Sequence, residues 1–118
     1  MIRYTLLTLL LIASSSSFAT IKANKEILLD NVDVEVIRAT YPAGSESGVH
    51  THIYANRVVY FVKGGVLAIT SEDTSKPDRI INVKDGQTLY MPGGTHNVKN
   101  IGDTEIIIVE TEVKNSKL

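Results

Sequence analysis

Cysteine is absent from the chain, which excludes disulfide bonds and thiol chemistry by the protein itself. Stability therefore has to come from the apolar core, from association or from a bound metal. Basic residues are not concentrated anywhere along the sequence, and 12 lysines and arginines against 13 acidic residues give a formal net charge of −1. This balance argues against nucleic acid or an anionic membrane as a partner of the mature chain.

Long apolar runs are also scarce, and the longest lies at the amino terminus. It extends from Tyr4 to Ala13, about half of the roughly 20 residues that span a bilayer, which disfavours an uncleaved membrane anchor. Arg3 precedes the run, and Ser17-Phe18-Ala19 follows it with the small residues typical of a signal-peptidase site. We therefore predict that residues 1–19 are a cleaved signal peptide, that residues 20–118 form one domain, and that the mature protein is periplasmic or secreted.

The mature sequence lacks the apolar spacing of an amphipathic helix. Short runs rich in valine, isoleucine, threonine and tyrosine recur instead, separated by glycine, proline, asparagine and aspartate. They predict eight strands, at residues 27–29, 32–39, 57–63, 66–70, 79–83, 88–91, 96–99 and 105–113. Many short strands at such intervals predict an all-β fold, either an antiparallel sandwich or a barrel.

Two of the predicted strands are apolar on both faces, at residues 58–62 and 106–109. One face of such a strand packs on the core, so the second apolar face needs a cover of its own. The amino-terminal strand is one candidate for this cover. A second copy of the chain, in a symmetric homodimer, is the other.

All three histidines of the chain lie among the predicted strands. His50 and His52 project to the same face of an extended strand, with Cα atoms roughly 6–7 Å apart, and His96 is the remaining imidazole that completes the set. Three converging imidazoles predict one divalent metal ion with open positions for water or substrate, and Fe, Zn, Mn, Ni or Cu suits such ligands. The alternative is a set of hydrogen-bonded histidines in a pocket without metal.

The spacing around the histidines resembles the two sequence motifs of the cupin superfamily. Residues 44–64 have the pattern G-x5-H-x-H-x4-R-x6-G, where the first cupin motif has a metal-ligating glutamate in place of the arginine. Residues 86–100 have the pattern G-x5-P-x-G-x-H-x3-N, one residue shorter than the second motif. The flanking sequence is most similar to small single-domain cupins named for β-alanine degradation. The resemblance implies an RmlC-like, cupin-type antiparallel jelly-roll barrel with three metal ligands, His50, His52 and His96.

Arg57 stands where the first motif has its glutamate. Strand alternation places it on the face of Val59 and Phe61, and in cupins this face points into the barrel. A guanidinium about 6 Å from a divalent ion is repelled by several kcal/mol at an effective dielectric constant of about 20. Three arrangements relieve the repulsion: the side chain turns out to the rim, an anionic ligand bridges it to the metal, or no metal binds. The second arrangement makes Arg57 a substrate-binding residue.

Tyr54 shares the predicted strand face of His52 and is a second candidate for substrate binding. Two carboxylates are candidates for the missing acidic ligand, and neither fits well. Glu46 lies about 13 Å from His50 if the segment is extended, and Asp85 belongs to a turn before the second motif. We therefore predict a site of three histidines without an acid.

Two further elements of the second motif have predicted backbone roles. Pro92-Gly93-Gly94 is expected to form a tight turn that delivers His96, and Asn100 is expected to cap the turn that follows it.

Together these features predict an exported small cupin that binds a divalent metal and a small, anionic organic molecule. Three-histidine cupins without the acidic ligand include dioxygenases of thiols and diketones, so a metal-dependent, dioxygenase-like enzyme is the nearest catalytic analogy. The alternative is a non-catalytic periplasmic module that binds a small molecule or serves as an accessory subunit. The missing glutamate slightly favours the non-catalytic module, because no obvious general base accompanies the metal. The sequence alone does not decide between the enzyme and the module.

Overall fold

The computed structural model describes residues 13–117, which form an all-β structure without helices. Within this range no helix is long and apolar enough to cross a membrane. Most of the predicted signal peptide, residues 1–12, lies outside the described residues, and residues 13–19 have no regular secondary structure. The seven strands are β1 (Asn24–Asp30), β2 (Val34–Tyr41), β3 (His50–Lys63), β4 (Gly65–Ser71), β5 (Arg79–Val83), β6 (Thr88–Asn100) and β7 (Ile106–Lys117).

All paired strands are antiparallel and form one sheet with the order β1-β2-β7-β3-β6-β4-β5. Inward-facing side chains from six of the strands share one apolar core, so the sheet curls round this core. The members of this core are Ala39, Tyr41, Val59, Phe61, Leu67, Val83, Met91, Ile106 and Ile108. The predicted all-β antiparallel barrel is confirmed.

Strand β3 lies between β6 and β7 and pairs with both. A bulge between His52 and Asn56 adds residues to β3 that have no counterpart on β6. Because of this bulge, His52 and Arg57 both face the interior although they are an odd number of residues apart. From Arg57 onward the predicted alternation is confirmed, since Val59 and Phe61 are buried.

Strand β6 is continuous over 13 residues, so the predicted tight turn at Pro92-Gly93-Gly94 is wrong. The segment is extended and pairs with β3. Strand β4 pairs only with residues 96–100 of β6, so Pro92 lies where β6 has a free edge and a missing amide hydrogen is tolerated. The extended strand places His96 directly opposite His50.

Two polar side chains serve turns, as predicted. Asn100 is fully buried and its Oδ1 accepts a hydrogen bond from the backbone nitrogen of Gly102 at 3.1 Å. Its Nδ2 donates to the carbonyl oxygens of Tyr41, Pro42 and Thr104, which ties the β2–β3 connection to the β6–β7 turn. Asp85 lies in the turn between β5 and β6. Its Oδ1 accepts a hydrogen bond from the backbone nitrogen of Gly64, between β3 and β4, at 2.7 Å, so Asp85 links these two turns.

One apolar face of the sheet remains open to solvent. Val58, Tyr60 and Val62 of β3 are 42–45% exposed, and Tyr90 of β6, which pairs with Val58, is 63% exposed. We call these four residues the outer apolar face. Strand β1 pairs edge to edge with β2 and so extends the sheet, which means that the predicted cover by the amino-terminal strand is wrong.

Candidate metal and ligand site

The structure brings together the three histidines that the sequence singles out. His50 and His96 face each other across the β3–β6 pair, and His52 follows on the same face of β3. The ring centroids are 4.7, 4.8 and 5.0 Å apart. One ring nitrogen of each histidine lies within 4.8 Å of the others, a spacing that suits a shared metal ion.

Hydrogen bonds at Nδ1 fix the tautomers of the two β3 histidines. Nδ1 of His50 is 2.9 Å from the carbonyl oxygen of Gly48, and Nδ1 of His52 contacts a carboxylate oxygen of Glu112. Both partners only accept, so both Nδ1 atoms carry a hydrogen, and Nε2 is the nitrogen of each ring that is left to ligate a metal. These two Nε2 atoms are 2.8 Å apart.

The electrostatics of the site keep two of the rings neutral. Burial, followed by the positive charge of Arg57, lowers the pKa of His52 and of His96 to about 3. Both rings are therefore unprotonated at neutral pH and present a lone pair. Nε2 of His96 is buried and has no hydrogen-bond partner among the described residues.

This set of donors fits a metal ion. The Nε2 atoms of His50 and His52 lie 2.8 Å apart, a spacing that one shared ion can bridge, and Nε2 of His96 is buried without a partner among the described residues. Neutral imidazole nitrogens at about 2.0–2.2 Å are normal ligands of divalent transition metals. An ion held by the three Nε2 atoms gives His96 Nε2 a partner, whereas a metal-free set of hydrogen-bonded histidines leaves this buried nitrogen unsatisfied within the described residues.

Arg57 points into the barrel and is only 2% exposed, so the surface-arginine arrangement is wrong. Its Nη1 contacts Nε2 of His52 and lies 3.3 Å from Oε2 of Glu110. Its Nε is buried and has no hydrogen-bond partner among residues 13–117. The guanidinium is therefore held directly against the histidine cluster, with part of its donor capacity unused.

Two acidic residues of the site are missing from the sequence prediction. Glu110 and Glu112 of β7 both face the interior, on the same side of the strand as Ile106 and Ile108. The strand alternation already contains this signal, because two acids continue an apolar series in steps of two. It is easily overlooked, because acidic residues are rarely buried and because only the topology places β7 beside Arg57.

The two carboxylates lie on the Nδ1 side of His52, away from the converging Nε2 atoms. Glu112 contacts Nδ1, and Oε1 of Glu110 is 3.7 Å from the same atom. Burial raises the pKa of Glu110, while the charge of Arg57 acts in the opposite direction. His52, Glu110 and Glu112 have the spacing of a second metal-ligand group, but it uses the opposite edge of the His52 ring. We assign the carboxylates to orienting His52 and neutralising Arg57.

An open cavity of about 290 Å³ lies beside His96, and we call it the ligand cavity. The extended Pro92-Gly93-Gly94 segment of β6 forms part of its wall. Three cationic side chains also line it, namely Arg57, Lys76 and Arg79. The predicted arrangement in which an anion bridges Arg57 to a metal is therefore sterically available.

Other candidates from the sequence lie elsewhere. Tyr54 lies in the β3 bulge, where its Cα pairs with that of Lys117. It is not among the residues that line the ligand cavity. The bulge changes the strand face after His52, which is why the expected shared face fails. The carboxylate of Glu46 accepts a hydrogen bond from Nδ2 of Asn97 at 2.6 Å and does not join the histidines.

Comparisons with known proteins agree with this geometry. The cupin family model matches residues 12–117. The chain is 34% identical to the β-alanine degradation protein BauB of Pseudomonas aeruginosa over 89 residues, which cover 75% of this chain and 90% of BauB. A crystal structure of a cupin domain from Bordetella pertussis superposes with a TM-score of 0.74 at 29% identity, covering 83% of this chain and 99% of that domain. An RmlC-like cupin from Desulfovibrio desulfuricans shares the fold at 18% identity, with a TM-score of 0.55 over 88% of this chain and 95% of its own.

We predict that Glu112 positions His52 for metal binding. Glu112→Ala should weaken metal affinity about 10–100-fold, because the carboxylate that fixes the ring is lost, and Glu112→Gln should have a smaller effect because it still accepts the hydrogen bond. Chelator competition with Zn²⁺ measures both. Glu105→Ala, at an exposed position just before β7, is the control. Wild-type affinity in Glu112→Ala would contradict the assigned role.

Proposed function

This chain belongs to the cupin family, and on that basis we propose that it binds one divalent metal ion through the Nε2 atoms of His50, His52 and His96. The observation that carries the proposal is the convergence of these nitrogens: one ring nitrogen of each histidine lies within 4.8 Å of the others, and two of them are 2.8 Å apart. The ligand cavity beside His96 receives a small organic anion. When bound, the ion supplies Lewis acidity, and Fe, Zn, Mn, Ni or Cu suits the three imidazoles.

The charge around the ligand cavity supports an anionic ligand. Arg57, Lys76 and Arg79 line it, and none of its lining residues is acidic. Ser71, which carries a neutral hydroxyl group, also lines the cavity. An arginine pairs with a carboxylate through two parallel hydrogen bonds, which also orients the ligand. Since the relative BauB is named for β-alanine degradation, short molecules that carry a carboxylate are the first ligands to test.

Two functions use such a site: a metal-dependent, dioxygenase-like enzyme and a non-catalytic binding or accessory module. The carboxylates beside the histidines are both engaged, Glu110 with Arg57 and Glu112 with His52. Neither is therefore free to act as a general base, which favours the binding module over hydrolytic or proton-transfer chemistry. Oxygen consumption with thiols, diketones and carboxylates distinguishes a dioxygenase from a binder.

We propose that the protein acts in the periplasm or outside the cell. The short apolar run Tyr4–Ala13 and the small residues of Ser17-Phe18-Ala19 support export and cleavage. The even distribution of charge gives no support for a nucleic-acid or membrane partner of the mature form.

The metal proposal predicts one ion per chain after reconstitution with Fe²⁺, Zn²⁺, Mn²⁺, Ni²⁺ or Cu²⁺. His50→Ala and His96→Ala should each lose most of the bound metal, because each removes one of only three ligands. Elemental analysis after gel filtration measures the content. Thr51→Ala is the matched control, since Thr51 lies between the β3 histidines but is exposed and bonds to Thr95. Metal content that is unchanged in both histidine variants would show that the site is elsewhere.

The anion proposal predicts that the metal-loaded protein binds propionate more tightly than propionamide, which has the same size without the charge. Arg79→Gln should weaken propionate binding about fivefold at low salt, because it removes one partly screened charge from the cavity rim. Isothermal titration calorimetry measures both affinities. Lys84→Gln is the control, because Lys84 lies in the turn before β6, at the end of that strand remote from His96. Equal affinity for the two compounds would reject an anionic ligand.

We also propose that a second copy of the chain covers the outer apolar face. Val58, Tyr60, Val62 and Tyr90 form a contiguous apolar patch on neighbouring strands, and such patches on soluble proteins commonly mark association surfaces. The face belongs to regular sheet, so two copies can stack through the same residues about a two-fold axis.

A homodimer of this kind predicts that Val58→Lys shifts the protein from dimer to monomer, because it buries a charge at the centre of the interface. Sedimentation equilibrium across a range of concentrations measures the change. Val32→Lys is the matched control, since Val32 is 85% exposed in the turn between β1 and β2. A wild-type protein that is monomeric at all concentrations would contradict the homodimer.

A further inference from the structure

We propose that Arg57 and the metal ion compete for the same lone pair of His52, so that metal binding displaces the guanidinium from the histidines into the ligand cavity. There it becomes the group that binds the anion. This inference rests on the proposed function, since it presupposes a metal held by the three histidines. It adds an order of events: the metal enters first, and its entry creates the anion-binding position of Arg57.

The competition follows from one contact. Nη1 of Arg57 contacts Nε2 of His52, while Nδ1 of the same ring is occupied by Glu112. A neutral imidazole has a single lone pair on its unprotonated nitrogen, and this lone pair either accepts a hydrogen bond or ligates a metal. The guanidinium and the ion cannot use it together. Arg57 is thus a cation of the chain itself, placed where a metal ion would bind.

Electrostatic repulsion between the guanidinium of Arg57 and the divalent ion also favours its displacement. A guanidinium that shares a ligand nitrogen with a divalent ion lies within a few ångströms of it, in an interior where like charges repel strongly. Arg57 is 2% exposed, so solvent screens this repulsion weakly. When the ion binds, the side chain therefore has to withdraw from His52.

The residues around Arg57 leave it a direction in which to move. The side chain lines the ligand cavity together with His96, and the cavity is open on the side of Lys76 and Arg79. The buried Nε of Arg57 has no partner in the described part of the chain, so the observed position does not satisfy the whole guanidinium. A carboxylate in the cavity offers two acceptor oxygens that match the unused donors.

Glu110 limits how far the side chain moves. Its Oε2 lies 3.3 Å from Nη1 of Arg57, and it is itself buried. The ion pair keeps the guanidinium beside Glu110, at the buried side of the cavity, when His52 is no longer its acceptor. Metal binding then strengthens anion binding, because it frees the guanidinium for the anion. By thermodynamic linkage, the anion strengthens metal binding by the same factor.

The test compares Zn²⁺ affinity in the wild type and in Arg57→Met, which keeps most of the side-chain length but has neither charge nor donor. We expect Arg57→Met to bind Zn²⁺ about tenfold more tightly, because the competing cation is gone. Chelator competition measures the affinity. Arg38→Met is the matched control: it also breaks an arginine–glutamate pair, with Glu26, but on the exposed surface of β2, and it should leave the affinity unchanged.

A second variant covers the case in which Arg57→Met does not fold. Removing Arg57 alone leaves Glu110 buried without a counter-charge, so the double variant Arg57→Met/Glu110→Gln removes both charges together. It should also bind Zn²⁺ more tightly than the wild type. Circular dichroism establishes that each variant is folded before the titration.

The outcomes separate this inference from the metal site itself. Zn²⁺ affinity that depends on His50 and His96 but is unchanged or weaker in both Arg57 variants overturns the competition and leaves the metal site intact. Zn²⁺ binding by the Arg57 variants but not by the wild type also supports the competition, because Arg57 then excludes the ion completely. No histidine-dependent binding in any variant overturns the metal site and this inference together.

Discussion

A buried arginine is the constraint on which the arrangement of this site depends. Arg57 is almost completely removed from solvent, and an ion in a protein interior costs several kcal/mol unless other groups compensate for its lost hydration. The compensation comes from Glu110 on the neighbouring strand β7 and from His52 on β3 itself. Strand β3 lies between β6 and β7, so the histidines, the guanidinium and the carboxylates share one space.

The site differs from the first cupin motif in which of two paired strands carries the acidic residues. The first cupin motif has an acid at the position of Arg57, and this chain has its acids on β7 instead, with Glu112 directly opposite Arg57 and Glu110 opposite Val59. An acid at position 57 is a metal ligand in the motif. The acids on β7 lie behind His52, where they act on Nδ1 and stay outside the proposed coordination shell of three imidazole nitrogens. A divalent ion in this shell keeps its full charge, which strengthens its attraction for an anionic ligand.

The barrel and the set of three histidines could be predicted from the sequence, because both depend on the two-residue alternation of side chains along a strand. The alternation of two places His50 and His52 on one face, and the recurrent β-branched runs mark the strands without any knowledge of their partners. The errors have non-local causes. The extended course of Pro92-Gly93-Gly94 depends on pairing with β3 and on a free edge where β4 is absent. The bulge that removes Tyr54 from the site has no local signature, and the role of Glu110 depends on which strand lies beside β3.

The charge count of the interior links the metal to the ligand. With both acids ionised, Arg57, Glu110 and Glu112 carry a net charge of −1, and a divalent ion changes this to +1. A monoanionic ligand then neutralises the cluster, whereas without the ion the same ligand would increase an existing negative charge in a medium that screens poorly. Lys76 and Arg79 attract anions to the cavity rim in either state, but only the occupied site gives them a favourable final position. On the proposed function, selectivity for an anion would therefore be a property of the metal-bound protein, and the acids of β7 would supply the charge that balances Arg57.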